Sequence, residues 1–583
     1  MKKSILIAVA ALAGITAFGQ NLTSKVPAES QYVMTINTPN ILSKMSVEEM
    51  EELPMINKAV TDIVKGRKYY DDFSEEDRNL KLNDLGFDLN TASYFFIESN
   101  DSMTYFGYLL QINDVAKFEA LNDTSMHFVK NTKKLKIRAS ARQIVAWNNT
   151  TALFITSDGN SDYFRNHPEV YASYGYEVDT TDYEYNFYNF YKEQAEIESK
   201  WLAEKATSVF AKKSKKSAKS PFLAVADNNA ALTMWASPKK LYNQYMGVFT
   251  TVTNSPSVFP GGDMVYHLYL NDKDVTLKSA MSLDAEERKS YENIFGNPLN
   301  PKFFNYIDAN NNLSYYSYNY SVQGVLEEIP HFINNYLGTS FEKWGVQESV
   351  DLLSVVLDEE AIGKVVCGDG IMVLTNITSK EVTYTDYEWD EDYMNKTEVT
   401  KTKDEIIPEF LYMLSTKDEK SVHNIFKLSM KGNDKLIKED GFYSLDMYTN
   451  APFKMYFVVR DGIVFMCNTE TQLQAILNNT KVTALSAEQI ADISSKPFQV
   501  YIDGPQIVGH IPVPKEDASN AAKTKKMMDK IKEDVGSFAL SQQLEKEGLT
   551  FKAVYSFEKD ARNSLKYFMH FFNDLYEIEK GDH

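Results

Sequence analysis

Asp158, Asn160, Asp162 and Glu169 stand at positions one, three, five and twelve of a calcium-loop template, a spacing that lets oxygen side chains converge on one hard cation. Position six of that loop needs glycine, and here it is Tyr163, which resists the positive φ required. Pro168 also precedes the glutamate, so the stretch reads as a polar turn after a hairpin and no metal site is assigned. The eight histidines, His127, His167, His267, His331, His423, His510, His570 and His583, include no pair at zinc-protease spacing. No serine lies in a Gly-flanked nucleophile elbow, and neither a phosphate loop nor a dinucleotide fingerprint occurs. No catalytic residue and no cofactor is therefore expected. Two carboxylates brought together only by folding could still hydrolyse a glycoside or peptide, because such pairing is spatial.

Two other groups of reactive side chains remain. Cys367 and Cys467 are the two cysteines, both in expected strands. In an oxidising compartment they could pair, and a loop of that length would add on the order of 4 kcal/mol. The alternative is two buried thiols acting as small apolar fillers. Asp386, Glu388, Asp390, Glu391 and Asp392 cluster around Tyr387, Trp389 and Tyr393, and Thr397 to Lys403 returns with alternating threonine and charge. This reads as a long hairpin with an acidic tip, an insertion over 379–405. Asp386, Glu388, Trp389, Asp390 and Asp392 are its candidate docking residues for a cation or a basic surface; a solvated tip is the bland alternative.

The elements that must position these groups come in two sets. Tyr32 to Ile36 alternates as a half-buried strand and runs into Thr38-Pro39, read as an N-cap and first helical residue; Ser314 to Tyr320 repeats the strand. Tyr108 to Asn113 with Asp114 as helix cap aligns with Tyr412 to Lys417 and Asp418. A hairpin at Val145–Thr156 matches Val458–Cys467, where Asp461-Gly462 is a strong two-residue turn signal. Leu232 to Ala236 matches Val500 to Asp503. Thr276, Lys278, Ser282, Arg288 and Ser290 recur at one constant spacing as Thr550, Lys552, Ser556, Arg562 and Ser564. Five motifs in the same order point to a tandem duplication.

The expected fold is α+β: antiparallel sheets with helices packed on one face, in two related halves at 20–300 and 301–583. The first half carries an insertion at 166–220, with a helix near Glu193 to Phe210 and a basic linker, Ala211 to Ser220. Asp517 to Glu547 reads as a charged helical segment. The last helix, from about Asp560 to Glu579, has an aromatic stripe of Tyr567, Phe568, Phe571, Phe572 and Tyr576 that suits core packing.

Residues 1–19 read as a signal peptide. Lys2 and Lys3 precede an apolar stretch, Ile5 to Ile15, and Ala17-Phe18-Gly19 offers a cleavage point near Gly19/Gln20. The chain should thus be exported, periplasmic or secreted from a Gram-negative bacterium. No later run reaches the roughly 20 apolar residues of a membrane helix, and no cysteine near the cleavage point offers a lipid anchor. A net charge of −20 opposes phosphate backbones, so nucleic acid is not an expected partner.

Three stretches carry a resemblance: Val26-Pro27-Ala28-Glu29-Ser30, Leu85-Gly86-Phe87-Asp88-Leu89 before Tyr94-Phe95-Phe96, and Cys367-Gly368-Asp369-Gly370 before Ile371-Met372-Val373. With them the chain resembles an exported bacterial family, domain of unknown function 4836. Members of that family are commonly lipoproteins, and this sequence departs by lacking the anchor cysteine. The resemblance implies no activity and carries over no functional residue. The resulting expectation is a non-catalytic binding or structural protein of the cell envelope, whose partner is an envelope or extracellular protein or a glycan. The alternative is a cryptic polysaccharide or peptide hydrolase using carboxylates in an inter-lobe cleft.

Overall fold

The computed structural model of the 583-residue chain describes residues 22–65, 81–121, 126–140, 143–176, 187–211, 221–238, 262–337, 358–389, 396–447, 452–511, 518–557 and 563–580. The signal segment 1–19, the basic linker 212–220 and hairpin residues Asp390, Glu391, Asp392 and Tyr393 lie outside them. The fold is α+β, with 39% helix and 36% strand. It divides into two compact units, residues 1–282 with 560–577 and residues 283–559 with 578–583.

The described strands of the first unit form an antiparallel sheet in the order Asp274–Met281, Met264–Leu270, Leu232–Ala236, Tyr32–Ile36, Ser93–Ser99, Met103–Gln111, Thr151–Gly159, Gln143–Trp147, Lys136–Ser140 and His127–Asn131. Along Met103–Gln111 alternate residues serve different cores. Leu109 joins Val33, Phe96, Ile137, Leu153 and Trp235 on one face. Tyr108 and Leu110 join Ile36, Phe118 and Trp147 on the other.

The one-face arrangement expected from sequence is thus too simple. The helix Phe187–Ala211 lays Leu202, Ala206 and Val209 on the first face, and the helix Val115–Ala120 sets Phe118 into the second. The consecutive buried run from Tyr108 to Leu110 is what two covered faces require of a strand.

The second unit's described strands run Gly548–Ser556, Ser537–Glu545, Phe498–Ile502, Ser314–Asn319, Asp369–Trp389, Lys396–Ser415, Ile463–Cys467, Lys454–Arg460, Tyr443–Asp446 and Leu436–Lys438. Ranked by place in the chain, the strands of both units follow the same order across their sheets. Tyr315, Ile371, Val373, Leu411, Met413 and Phe465 face a core closed by Phe303 and Phe304, by Leu473 and Ile476 of the helix Glu470–Leu477, and by Ile493 of the helix Ala487–Ser494. On the opposite face Tyr316, Tyr318 and Tyr412 are half-buried, with the Tyr318 and Tyr412 hydroxyls 2.6 Å apart.

Local chemistry accounts for the element ends. Asp114 caps its helix by accepting from the N–H groups of Ala116 and Lys117, and Asp418 does the same from Ser421. Asp461 and Gly462 both take positive φ, giving the two-residue turn between Lys454–Arg460 and Ile463–Cys467. Two expectations are corrected. The first helix, Thr38–Lys44, is capped by Asn37 rather than Thr38, because the Asn37 carboxamide reaches Asn40 N–H. The segment expected to be helical through Glu547 is helix only over Ala518–Asp534. Ser537–Glu545 is a strand because Gly548–Ser556 pairs with it throughout.

The helix that follows the last strand of each sheet in the chain is grouped with the other unit. In the first unit Leu565 and Met569 of the helix Ser564–Lys580 pack on the cluster around Met45, Met50 and Leu53. Asn563 donates to Lys44 O, Lys566 pairs with Glu49, and Asn573 accepts from Met55 N–H. In the second unit the helix Ala285–Ile294 meets Val322–Leu337: Ser290 Oγ donates to Glu328 at 2.5 Å and Ser321 N–H to Ile294 O at 2.7 Å.

Candidate functional site

Three of the calcium-like residues are engaged by close neighbours in the chain. Asn160 accepts from the N–H groups of Asp162 and Tyr163, Asp162 pairs with Arg165 at 2.9 Å, and Glu169 sits 2.7 Å from His167 Nδ1. The polar turn is two short helices, Ser161–Asn166 and Pro168–Ser173. Among the described residues no group of three or more His, Cys, Asp or Glu side chains could hold a metal ion.

Cys367 and Cys467 are buried and free. Cys467 lies opposite Leu411, whereas Cys367 N–H bonds Ser415 O from the other side. The strand Lys396–Ser415 runs between them, so they are two sheet spacings of about 4.8 Å and several residues apart, beyond the ~7 Å Cα reach of a disulfide. Burial pushes the Cys467 thiol up to about 12 and raises that of Cys367 as well.

The expected hairpin is a two-stranded ribbon. Asp369–Trp389 and Lys396–Ser415 pair without interruption from Asn376↔Glu409 to Trp389↔Lys396. Towards its end the ribbon is exposed on both faces. One face sets Trp389 beside Lys396 and Tyr387 beside Glu398; Lys396 Nζ stands 3.8 Å from the Tyr387 ring centre and 5.7 Å from that of Trp389. On the opposite face Lys401 Nζ is shared by Asp386 at 2.8 Å and Glu388 at 3.0 Å. The hydrogen bond from Lys401 holds the Asp386 carboxyl below its ordinary range. Trp389 is 54% and Tyr387 45% exposed, although both are large apolar side chains. Of the five docking residues expected, Asp386, Glu388 and Trp389 are placed on this ribbon; Asp390 and Asp392 fall outside the described residues.

Sequence reasoning missed a cavity of about 450 Å³ in the second unit. Its floor is the buried side chains of Ile307, Leu313, Val373, Leu411 and Ile476. Half-buried Thr375, Asn376, Glu409, Thr469 and Gln472 form polar walls, and Asn310, Asn311, Gln506 and His510 are exposed at the rim. A β-bulge between Leu374 and Asn376 makes Thr375 the extra residue on its strand. Bulges re-aim a side chain in this way. The corresponding pair in the first unit, Ser93–Ser99 with Met103–Gln111, is regular. Thr375 Oγ1 donates to Glu409 O at 3.0 Å and accepts from Gln472 Nε2 at 2.6 Å. Asn376 Nδ2 donates to Glu409 Oε2 at 3.3 Å. Asn468 fixes the facing strand, donating to Pro408 O and accepting from Phe410 N–H. Gln472 Oε1 is buried without a hydrogen-bond partner among the described residues.

No helix among the described residues is long and apolar enough to cross a membrane. No family model and no curated protein matches the chain. Among solved structures, crystal form I of TP0453 is similar at 9% identity over 48% of this chain and 88% of that one, with a TM-score of 0.23. Crystal form III of TP0453 is similar at 8% identity over 49% and 89%, with a TM-score of 0.22.

Proposed function

We propose that this chain is an exported, non-catalytic binding protein of the cell envelope, built by tandem duplication of one α+β module, whose ribbon docks a basic surface on a partner protein. The ribbon carries the reading. A two-stranded hairpin is marginal in water by itself, and solvent on both faces gives it no core to complete. It nonetheless displays Trp389, Tyr387 and Tyr384, side-chain types that concentrate binding energy at interfaces. Residues 379–405 carry nine acidic against four basic side chains, which selects a cationic partner. Support for the duplication comes from the shared strand order, the matching Asp114 and Asp418 caps and the reciprocal helices. Export rests on the signal-peptide pattern of residues 1–19, and membership of the domain of unknown function 4836 family on the three short stretches quoted for it.

The test is cross-linked co-purification of the tagged mature chain from intact cells, against a variant in which 379–405 is replaced by a tight turn. One stoichiometric partner, lost with the ribbon while the melting midpoint holds, is the expected result. Undiminished capture by the shortened variant refutes the docking role. A reproducible hydrolysis of envelope polysaccharide or peptide, abolished by changing one carboxylate, refutes the non-catalytic reading and installs the hydrolase in its place.

A further inference from the structure

We infer that the cavity of the second unit binds a neutral saccharide unit. Its volume of about 450 Å³ lies within the ~300–1,000 Å³ of small-molecule sites. The apolar floor suits the C–H face of a sugar ring, and Tyr306 adds an aromatic side chain to the lining. Around that floor stand Asn, Gln and Thr side chains. Their amides and hydroxyls combine donors with acceptors, as sugar hydroxyls do. Asp308 and Glu409 contribute acceptors, whereas no lysine or arginine among the described residues lines the cavity. An anionic ligand would therefore meet two carboxylates and, among the described lining, only the exposed rim imidazole of His510 as a basic group.

The polar groups are held in advance. Asn310 Nδ2 donates to Thr483 Oγ1 at 2.9 Å, Asp308 accepts from Asn310 N–H at 3.0 Å, and the Gln472–Thr375–Glu409 chain closes the wall. Such preorganisation lowers the entropy lost on binding. A peptide would look instead for an unpaired strand edge. Beside the cavity the strands Asp369–Trp389 and Lys396–Ser415 pair with each other, so specificity here comes from side chains. Gln472 lines the wall, and its Oε1, which has no hydrogen-bond partner among the described residues, is an acceptor that a small shift of the side chain would offer to a sugar hydroxyl.

The full mature chain is tested on immobilised neutral mono- to trisaccharides, their uronic-acid counterparts and neutral dipeptides, with soluble hits titrated by calorimetry. A neutral saccharide should bind, and its uronic-acid form at least about tenfold more weakly, the equivalent of one unfavourable charge contact. Gln472→Met should weaken binding about tenfold without lowering the melting midpoint, a separation that a purely structural glutamine would not give. Asn376→Leu should weaken it similarly; should that variant misfold, Asn310→Ala on the exposed rim replaces it. The inference is overturned if no saccharide binds, if acidic sugars are preferred, if a dipeptide binds instead, or if folded variants keep full affinity. None of these outcomes touches the ribbon, whose partner is read by co-purification.

Discussion

Gly368→Ala should be among the most damaging single-methyl additions in the second unit. Gly368 has φ +96°, in the left-handed region, and a Cβ there would lie 2.0 Å from Tyr320 O and 2.8 Å from Val322 N. Both are backbone atoms, so no side chain can swing aside. The turn cannot retreat either, because Tyr320 N–H donates to Gly368 O at 2.9 Å. Left-handed φ costs an L-residue about 1–2 kcal/mol. Overpacking adds about 1–3 kcal/mol, and the strained hydrogen bond about 1 kcal/mol. The expected loss is therefore about 3–6 kcal/mol. Gly441 supplies the control: φ is +84°, but the nearest atom to a built Cβ is Leu477 Cδ2 at an ordinary 3.6 Å. Gly441→Ala should cost only the backbone term, about 1–2 kcal/mol. Urea unfolding followed by far-UV circular dichroism, read at the second unit's transition, compares the two. Equal losses would refute the clash argument and leave φ as the whole effect.

Phe118→Ala should destabilise the first unit by about 3–5 kcal/mol, because Phe118 is 0% exposed with edge-on contacts to Trp147 and Phe154; a urea midpoint within error of the parent would contradict it. Burial raises the Asp369 carboxyl above 3.8 despite the hydrogen bonds from Ser415 Oγ and Asn300 N–H. A raised carboxyl favours the folded state below 3.8, and that contribution is lost as pH rises through the folded value. Asp369→Asn should therefore gain stability relative to the parent as pH rises above 3.8, seen in unfolding curves at stepped pH. A maleimide reagent should leave Cys367 and Cys467 unmodified in the native chain and label both in urea, with no shift of melting midpoint on adding a reductant. Lys401→Ala should leave the melting midpoint unchanged, since its ion pairs with Asp386 and Glu388 stand in solvent.

What could be read from the sequence was local. Asp114 and Asp418 cap their helices with neighbours two or three residues away, and Asp461-Gly462 makes its turn with its own backbone. Pairing partners were not legible. Ser537–Glu545 is intermediate in burial for almost its whole length and shows no alternation; its strand character comes from Gly548–Ser556. The cysteines looked equivalent until the strand order placed Lys396–Ser415 between them. Residues 166–220 read as an insertion, yet their helix supplies Leu202, Ala206 and Val209 to the core. The cavity was least legible. Its lining comes from separate stretches between Tyr306 and His510, and the bulge that aims Thr375 is a mismatch of register with no residue signature of its own.

The reciprocal helices set the terms for dissecting the chain. A fragment ending at Ser282 would lack Leu565 and Met569, and a fragment beginning after Phe295 would lack the Ser290 contact to Glu328. The first would expose the apolar seat around Met45, Met50 and Leu53, a surface prone to aggregation, and the second would leave Glu328 without Ser290. Pieces from a single cut after Phe295 should reassemble when mixed, since the first holds the helix Ala285–Ile294 and the second the helix Ser564–Lys580. Under the proposed duplication, two ancestral copies exchanging these helices would have formed a swapped pair, which fusion then joined into one chain.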